Sequence, residues 1–243
     1  MRKLDQVLNI TPDDVDTIAQ KASIAQAEGD LPRASELLAP LRPAADDPIP
    51  LQAQAYQAIL ERRPESIIPR LKEILAKPDP AIGYFNGQLS FWLGWVQELA
   101  GEHAAAQESW QQARSELESF LKDQPENYSL MGVLALTNVG LGDKAAALTL
   151  SERAMAALPI EKDGLVGPFS IDIFARVAAQ VGEHDRAIAA LQKLLSIPYA
   201  GPLPENVPLT SALLRLDPMF DALQGDPRFQ KLVTSLALKA ANQ

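Results

Sequence analysis

One heptapeptide recurs along the chain and decides its fold. It reads Leu141-Gly142-Asp143-Lys144-Ala145-Ala146-Ala147, and its related forms are Glu28-Gly29-Asp30-Leu31-Pro32-Arg33-Ala34, Ala100-Gly101-Glu102-His103-Ala104-Ala105-Ala106 and Val181-Gly182-Glu183-His184-Asp185-Arg186-Ala187. Each copy has a glycine, then an acidic residue, and an alanine five positions after the glycine. The last three glycines follow one another at a nearly constant interval, and the first lies almost two such intervals before the second, which leaves room for one more unit. Self-similarity at a fixed interval of this size is the signature of a repeat protein.

Each copy of the heptapeptide predicts a tight turn between two antiparallel helices. The glycine ends the first helix because it adopts a positive φ without strain. The acidic residue then lies near the start of the next helix, where the helix dipole favours negative charge. The alanine is expected where the two helices cross most closely. Seven positions before each glycine stands another small residue that the same crossing needs, namely Ala22, Gly94, Ala135 and Ala175.

This pattern resembles the tetratricopeptide repeat, which has small residues at its eighth and twentieth positions and a glycine near its fifteenth. Proline near the end of the unit also recurs, at Pro125, Pro159 and Pro198. The resemblance covers roughly residues 12–200. Two features depart from the family: the usual aromatic residue is absent, and the interval between units is longer than usual. The positions of that aromatic are held by Ala25, Gln97, Asn138 and Ala178.

The resemblance implies an all-α fold, a right-handed superhelix (an α-solenoid) of about five helical hairpins with a C-terminal capping segment. The predicted organisation has three parts: an N-terminal lead over 1–11, repeats over 12–200 and C-terminal capping helices over 208–243. The repeat units are expected at about 12–42, 51–76, 81–122, 126–158 and 168–197.

Local signals refine this organisation. Thr11 is predicted to cap the first helix of the first unit, with Pro12 at its first position. Residues 43–50 and 197–208 are rich in proline and predict loops. The second unit lacks the glycine–acid pair, and its expected crossing residues are Ala55 and Ile67.

The C-terminal part contains two Asp-Pro pairs, Asp217-Pro218 and Asp226-Pro227. Each supplies a helix cap followed by a proline at the first helical position, which predicts two short helices. A solenoid needs a terminal element to cover its last apolar face. This part is similar to the segment that closes tetratricopeptide regions in bacterial multidomain signalling proteins, where a kinase, adenylate cyclase or winged-helix domain precedes the repeats. That similarity implies a regulatory part of a larger protein.

Charge and cysteine content exclude several classes of function. The 22 basic and 31 acidic residues give a net charge of −9, so repulsion disfavours nucleic acid and anionic membranes as partners. The absence of cysteine excludes disulfides, thiolate catalysis and cysteine-ligated zinc. No apolar stretch approaches the roughly 18 residues of a membrane span, so we expect no membrane insertion. The compartment stays undetermined: cytoplasmic for the chain as it stands, periplasmic if it belongs to a membrane-anchored protein.

The candidates for chemistry are two histidines, His103 and His184, which both stand in the sequence Gly-Glu-His. Equivalent turns two repeats apart would keep them far from each other, so a shared metal is not expected. The chain lacks a phosphate-binding loop, a nucleophile elbow and a His-Glu-x-x-His motif. We therefore expect no catalytic residue, no metal and no cofactor.

The candidate binding surface follows from the resemblance, because the first helices of such repeats line the concave side of the superhelix. The stripe predicted to face this groove consists of Tyr84, Gln88, Phe91, Trp95 and Glu98 in the third unit and of Phe169, Asp172 and Arg176 in the fifth. Tyr and Trp are frequent binding anchors. The alternative is that Phe91, Trp92 and Trp95 pack into the core. Arg176 either pairs with Asp172 one helical turn away or binds a ligand carboxylate.

The sequence thus predicts a non-catalytic scaffold that binds a peptide or partner protein in its concave groove. Two alternatives stay open. The chain could self-associate, for example as a homodimer, and control the oligomeric state of an attached domain. It could also sense a small ligand in the groove.

Overall fold

The computed structural model describes residues 2–44, 47–203 and 207–241, and the side chains of 3–44, 47–203 and 207–236. The described residues form thirteen α-helices and three short 3-10 helices, and no strand occurs among them. None of these helices is both long enough and apolar enough to cross a membrane, within the part of the chain described. The protein is therefore all-helical, as the sequence predicts.

Most of the helices are joined by short connections, and the longest connections are 158–167 and 195–210. The α-helices are α1 (Arg2–Ile10), α2 (Val15–Glu28), α3 (Leu31–Leu38), α4 (Pro48–Leu60), α5 (Ile68–Leu75), α6 (Phe85–Leu99), α7 (His103–Asp123), α8 (Tyr128–Gly140), α9 (Lys144–Ala157), α10 (Pro168–Val181), α11 (His184–Leu194), α12 (Ser211–Leu216) and α13 (Pro227–Ala241). The 3-10 helices are Pro64–Ser66, Pro80–Ile82 and Pro218–Leu223.

The recurring heptapeptide forms the turns that the sequence predicts. Its four glycines all have left-handed backbones, with φ of 81° at Gly29, 79° at Gly101, 77° at Gly142 and 93° at Gly182. After two of them, the aspartate accepts a hydrogen bond from the backbone N–H three residues later and caps the second helix. The glutamates after the other two make no such bond, because their longer side chains are poor helix caps.

The small residues of the repeat lie where the helices pack most closely. All four alanines that follow the turn glycines by five positions are fully buried: Ala34, Ala106, Ala147 and Ala187. The partner positions Ala22, Ala135 and Ala175 are also fully buried. At the fourth partner position, Gly94, an added Cβ would lie 2.5 Å from the ring of Trp110 in α7, so this indole packs against α6 only because Gly94 has no side chain. The small-residue register is confirmed.

The second hairpin replaces the turn glycine by Arg62, which has a φ of 58°. It is the only described residue other than glycine with a positive φ, a conformation that costs a side chain about 1–2 kcal/mol. Ala55 and Ile67 are buried as expected. The second helix of this unit is broken into the 3-10 helix Pro64–Ser66 and α5, because Pro64 and Pro69 both interrupt the backbone hydrogen-bonding pattern.

The predicted boundaries are wrong at two places near the N-terminus. The expected lead over 1–11 contains helix α1, and Thr11 does not cap α2. Asp14 caps it instead, accepting a 2.8 Å hydrogen bond from the backbone N–H of Thr17, so the helix begins later than predicted. The expected loop over 43–50 is also too long, because α4 already begins at Pro48.

The first helices of the five units form a row. α2 packs against α4, α4 against α6, α6 against α8, and α8 against α10. The second helices pack on the same units, with α3 on α2, α7 on α6, α9 on α8 and α11 on α10. The side of this row that residues 207–223 contact, on α2, α4 and α10, is called its inner side below.

The C-terminal part packs against both ends of this row. The segment over 207–223, here called the closing segment, places α12 against α2 and its 3-10 helix against α10. α13 packs on α11 and α12, and the Asp-Pro pairs start helices as predicted, with Asp217 and Asp226 accepting hydrogen bonds from backbone N–H groups. Contact with the last hairpin fits the predicted cap. A terminal cap does not require the contact between α12 and α2. Through this contact, the closing segment joins the first helix of the row to the last.

The alanine register can be tested by overpacking. We expect Ala147→Leu and Ala187→Leu each to lower the free energy of unfolding by about 1–3 kcal/mol, because the crossing has no room for a larger side chain. Ala145→Leu and Ala189→Leu place the same change at exposed positions of α9 and α11 and should have little effect. Denaturant unfolding of the four variants measures the difference. The register is contradicted if Ala147→Leu is as stable as Ala145→Leu, and Ala187→Leu as stable as Ala189→Leu.

Candidate partner-binding surface

The predicted stripe lies on the row of first helices, but most of it is buried. Gln88, Phe91 and Trp95 on α6 are 8%, 2% and 6% exposed, and Asp172 and Arg176 on α10 are fully buried. The expectation of an open groove at these five residues is therefore wrong for this structure. The remaining three, Tyr84, Glu98 and Phe169, are partly exposed.

Aromatic packing explains part of this burial. The rings of Phe91, Trp92 and Trp95 lie within 5.3–5.8 Å of one another, centroid to centroid, and Tyr56 of α4 lies 6.0 Å from Trp92. The three α6 rings belong to the core, which is the alternative that the sequence left open. Tyr84 stacks on Phe85 with a centroid distance of 4.8 Å, at the start of the same helix.

The closing segment packs on the α10 part of the stripe, where it contacts Arg176. Its apolar residues are buried against the first helices, and Leu213, Leu214, Phe220 and Leu223 are all fully buried. Thr210 donates a hydrogen bond to the carbonyl of Ala27 in α2, and the side chain of Gln180 in α10 donates one of 2.9 Å to the carbonyl of Met219. The segment therefore spans the inner side of the row from its first helix to its last.

A buried ionic network joins the closing segment to α10 and α4. Arg176 donates from Nε to Asp172 Oδ1 over 2.7 Å and from Nη1 to Asp217 Oδ2. The hydroxyl of Tyr56 donates to Asp217 Oδ2 over 2.6 Å, and that of Tyr199 to Asp172 Oδ2 over 2.8 Å. The predicted pair of Arg176 with Asp172 is thus confirmed, and its second carboxylate belongs to Asp217 of this chain rather than to a ligand.

Burial controls the electrostatics of the network. Removal from water raises the pKa of Asp172 above its ordinary value, although Arg176 opposes this shift. Burial alone would lower the pKa of Arg176, but the charges of Asp217 and Asp172 outweigh it and hold the pKa well above the ordinary range. Burial, assisted by the neighbouring carboxylates, also raises the pKa of Tyr56 and Tyr199 well above the usual range. Arg176 therefore stays charged, and both hydroxyls stay protonated donors.

Two hollows lie on the row of first helices, toward opposite ends of the same helices, and only the second is lined by residues of the closing segment. The first hollow has a volume of about 190 Å³ and is lined by the N-terminal halves of α6, α8 and α10, including Tyr84, Gln88 and Phe169. The second hollow has a volume of about 320 Å³, is lined by the C-terminal halves of α6 and α8 and includes Trp95 and Glu98. The partly exposed residues of the predicted stripe therefore line these hollows.

The two histidines lie in different hairpin turns. His103 is exposed and lies 3.0 Å from Glu98, while His184 starts α11. Within the described ranges, no cluster of three histidine, aspartate or glutamate side chains has the arrangement of a metal site.

Sequence reasoning missed three residues of the network: Tyr56, Tyr199 and Asp217. Asp217 was predicted only as a helix cap, a role that it fills with its other oxygen, Oδ1. A weak signal existed for the two tyrosines, because tyrosine is rare in this chain. They were missed because both lie outside the predicted stripe. Nothing local indicates that Asp217 reaches α4 and α10.

The network can be tested by matched carboxylate-to-amide changes. We expect Asp217→Asn to cost about 3–5 kcal/mol in the free energy of unfolding, because it leaves the buried charge of Arg176 short of one partner. Glu152→Gln removes a carboxylate from the exposed ion pair with Arg186 and should cost less than about 1 kcal/mol. Denaturant unfolding measures both. Similar costs for the two variants would contradict the role of the network.

The buried tyrosines predict a particular alkaline titration. Since the folded pKa values of Tyr56 and Tyr199 lie above the unfolded value of about 10, their contribution to stability is complete below that pH and is lost as the pH rises further. Their tyrosinate absorbance should therefore appear only together with loss of helical circular dichroism. Tyr56→Phe and Tyr199→Phe should each remove part of this late step. The prediction is contradicted if the tyrosinate absorbance that Tyr56→Phe or Tyr199→Phe removes appears at a lower pH than the loss of helical circular dichroism.

Comparison with known proteins adds no family. No family model matches the chain, and a search of the curated proteins found no significant relative.

Proposed function

We propose that the chain is a non-catalytic, tetratricopeptide-type scaffold that binds a peptide segment of a partner protein along the inner side of its first helices. In this proposal the five hairpins form a right-handed superhelix, and the row α2–α4–α6–α8–α10 lines its concave side. The confirmed turn glycines and the buried alanine register support this family assignment.

One observation carries the proposal: the inner side of the row already binds a non-repeat segment. The closing segment is short and partly irregular, and it is held by buried apolar side chains and a single buried carboxylate. Peptide-binding grooves combine an apolar surface with a few polar groups that fix orientation in the same way. The surface thus has the composition that peptide recognition requires.

The hollows extend this surface beyond the closing segment. Aromatic side chains line the first hollow, and the exposed carboxylate of Asp221 and the guanidinium of Arg62 border the second. Neither hollow carries the cluster of basic residues that a highly charged acidic tail would need. A partner that enters them would present mainly apolar side chains.

The wider role is a regulatory one. The similarity of the tail to closing segments in bacterial signalling proteins suggests that the scaffold reports partner binding to an attached domain. This part of the proposal rests on the short stretch from Leu213 to Leu232.

Self-association is the second candidate, and the surface of α1 favours it. Val7 and Ile10 are 41% and 84% exposed on this helix. Neighbouring exposed apolar side chains are typical of contact surfaces between proteins. A dimer formed through α1 would leave both hollows free.

Site-specific photocrosslinking in the source cell separates these functions. A photoreactive residue at Gln52, which lines the first hollow, should capture a partner protein, whereas one at Glu118, exposed on α7, should not. A third probe at Asn9 tests α1. Capture of a second copy at Asn9, with none at Gln52, would contradict the scaffold and favour self-association. Equal capture at Gln52 and Glu118 would contradict a specific groove.

A further inference from the structure

The closing segment is bound as a ligand would be bound. It contributes no repeat hairpin, and its contacts to the row are made by side chains rather than by continued helix packing alone. Asp217 is its central polar group: it is fully buried, its Oδ2 accepts from Tyr56 and Arg176, and its Oδ1 accepts from the backbone N–H of Met219. Pro218, Met219 and Phe220 follow it directly and are buried as well.

Residues outside the segment contribute most of the receptor side of this contact, and the segment adds one hydrogen bond to it, from the backbone N–H of Leu209 to the hydroxyl of Tyr199 over 2.8 Å. Asp172 fixes Nε of Arg176, and Tyr199 in turn donates to Asp172, so the guanidinium is already oriented by α10 and its neighbour. The second carboxylate of the network, Asp217 of the segment, accepts from Nη1 of Arg176 and from the hydroxyl of Tyr56, which come from two different first helices. Nη2 of Arg176 is buried and has no hydrogen-bond partner among the described residues.

Apolar contacts beside the carboxylate add sequence selectivity. The ring of Phe220 lies over the guanidinium of Arg176, 5.1 Å from Cζ to the ring centroid. Such a cation–π contact requires an aromatic side chain at a fixed distance from the carboxylate. Proline directly after the aspartate fixes the backbone, which reduces the entropy lost on binding.

We infer that the inner side of the row is a receptor for a partner peptide with an aspartate, a proline directly after it and an aromatic side chain three positions after the aspartate. The closing segment occupies this receptor within the same chain. The inference rests on the proposed function and names the class of its partner. It also means that a partner must compete with a tethered segment, whose effective concentration is on the order of millimolar.

Arg62 forms a separate ion pair with the closing segment. Its guanidinium pairs with Asp221 over 2.8 Å at the surface, and both groups are about half exposed. Arg62 stands at the turn position that glycine occupies in the other hairpins. Arg62→Gly therefore removes the ion pair and, at the same time, the strain of a side chain in the left-handed conformation. This variant therefore loosens the segment without touching the buried network.

The test is binding of a labelled synthetic peptide, residues 207–226, to the full-length chain, followed by fluorescence anisotropy. We expect the Asp217→Asn chain to bind it at least about tenfold more tightly than the wild type, because its own segment has lost a charged hydrogen-bond acceptor. The matched control is the same peptide with Asp217→Asn, which should bind that chain at least about tenfold more weakly. The Arg62→Gly chain should show a smaller gain, of a few fold, since exposed ion pairs are weak.

Three results would overturn the inference. The first is that the peptide binds no folded variant more tightly than it binds the wild type; if Asp217→Asn does not fold, Arg62→Gly decides alone. The second is equal binding of the two peptides, which would remove the role of the carboxylate. Sedimentation of the Asp217→Asn chain as a dimer without peptide would also contradict a partner peptide and favour exchange of the segment between two copies.

Failure of the inference and failure of the proposed function are distinguishable. Photocrosslinking at Gln52 captures a partner whatever its sequence, whereas the peptide assay needs no natural partner. A captured partner together with a peptide that does not bind would overturn the inference alone.

Discussion

A guanidinium buried between two carboxylates is the interaction on which the closed arrangement depends. Arg176 and both aspartates have no exposed surface, so each charge relies on the others for the interactions that water would otherwise supply. Asp172 is a local partner, one helical turn away, whereas Asp217 comes from the closing segment. Through Tyr56 the same carboxylate also contacts the second hairpin. The network therefore joins the last repeat, the tail and the second repeat at one point.

The helical hairpins were predictable because their signals are local. A turn glycine and two small residues within a short stretch define each hairpin, and backbone strain and steric room act over the same distance. The boundaries failed where equivalent local signals compete: Asp14 and Thr11 both offer a cap, and Asp14 is the one used. The turn of the second hairpin could not be predicted at Arg62, because no rule from sequence alone places an arginine in a left-handed conformation.

The candidate surface was predicted only in part, since its decisive contacts are distant in sequence. Tyr56 and Asp217 are 161 residues apart, and Arg176 and Asp217 are 41 apart. The predicted stripe lies on α6 and α10, but five of its eight residues are buried. The helical period could not reveal that another part of the chain lies on that stripe. Whether a face is open or covered depends on long-range packing, which residue spacing does not encode.

The closing segment returns to the first hairpin, and the distance between one label on each of them tests this directly. The chain has no cysteine, so cysteines introduced at the exposed positions Glu28 and Arg215 are the only sites that take spin labels. Ala212 lies against the turn at Gly29, so we predict a single short and narrow distance distribution between the labels by electron paramagnetic resonance. A broad distribution at long distances would contradict the closed arrangement and leave the inner side of the row open.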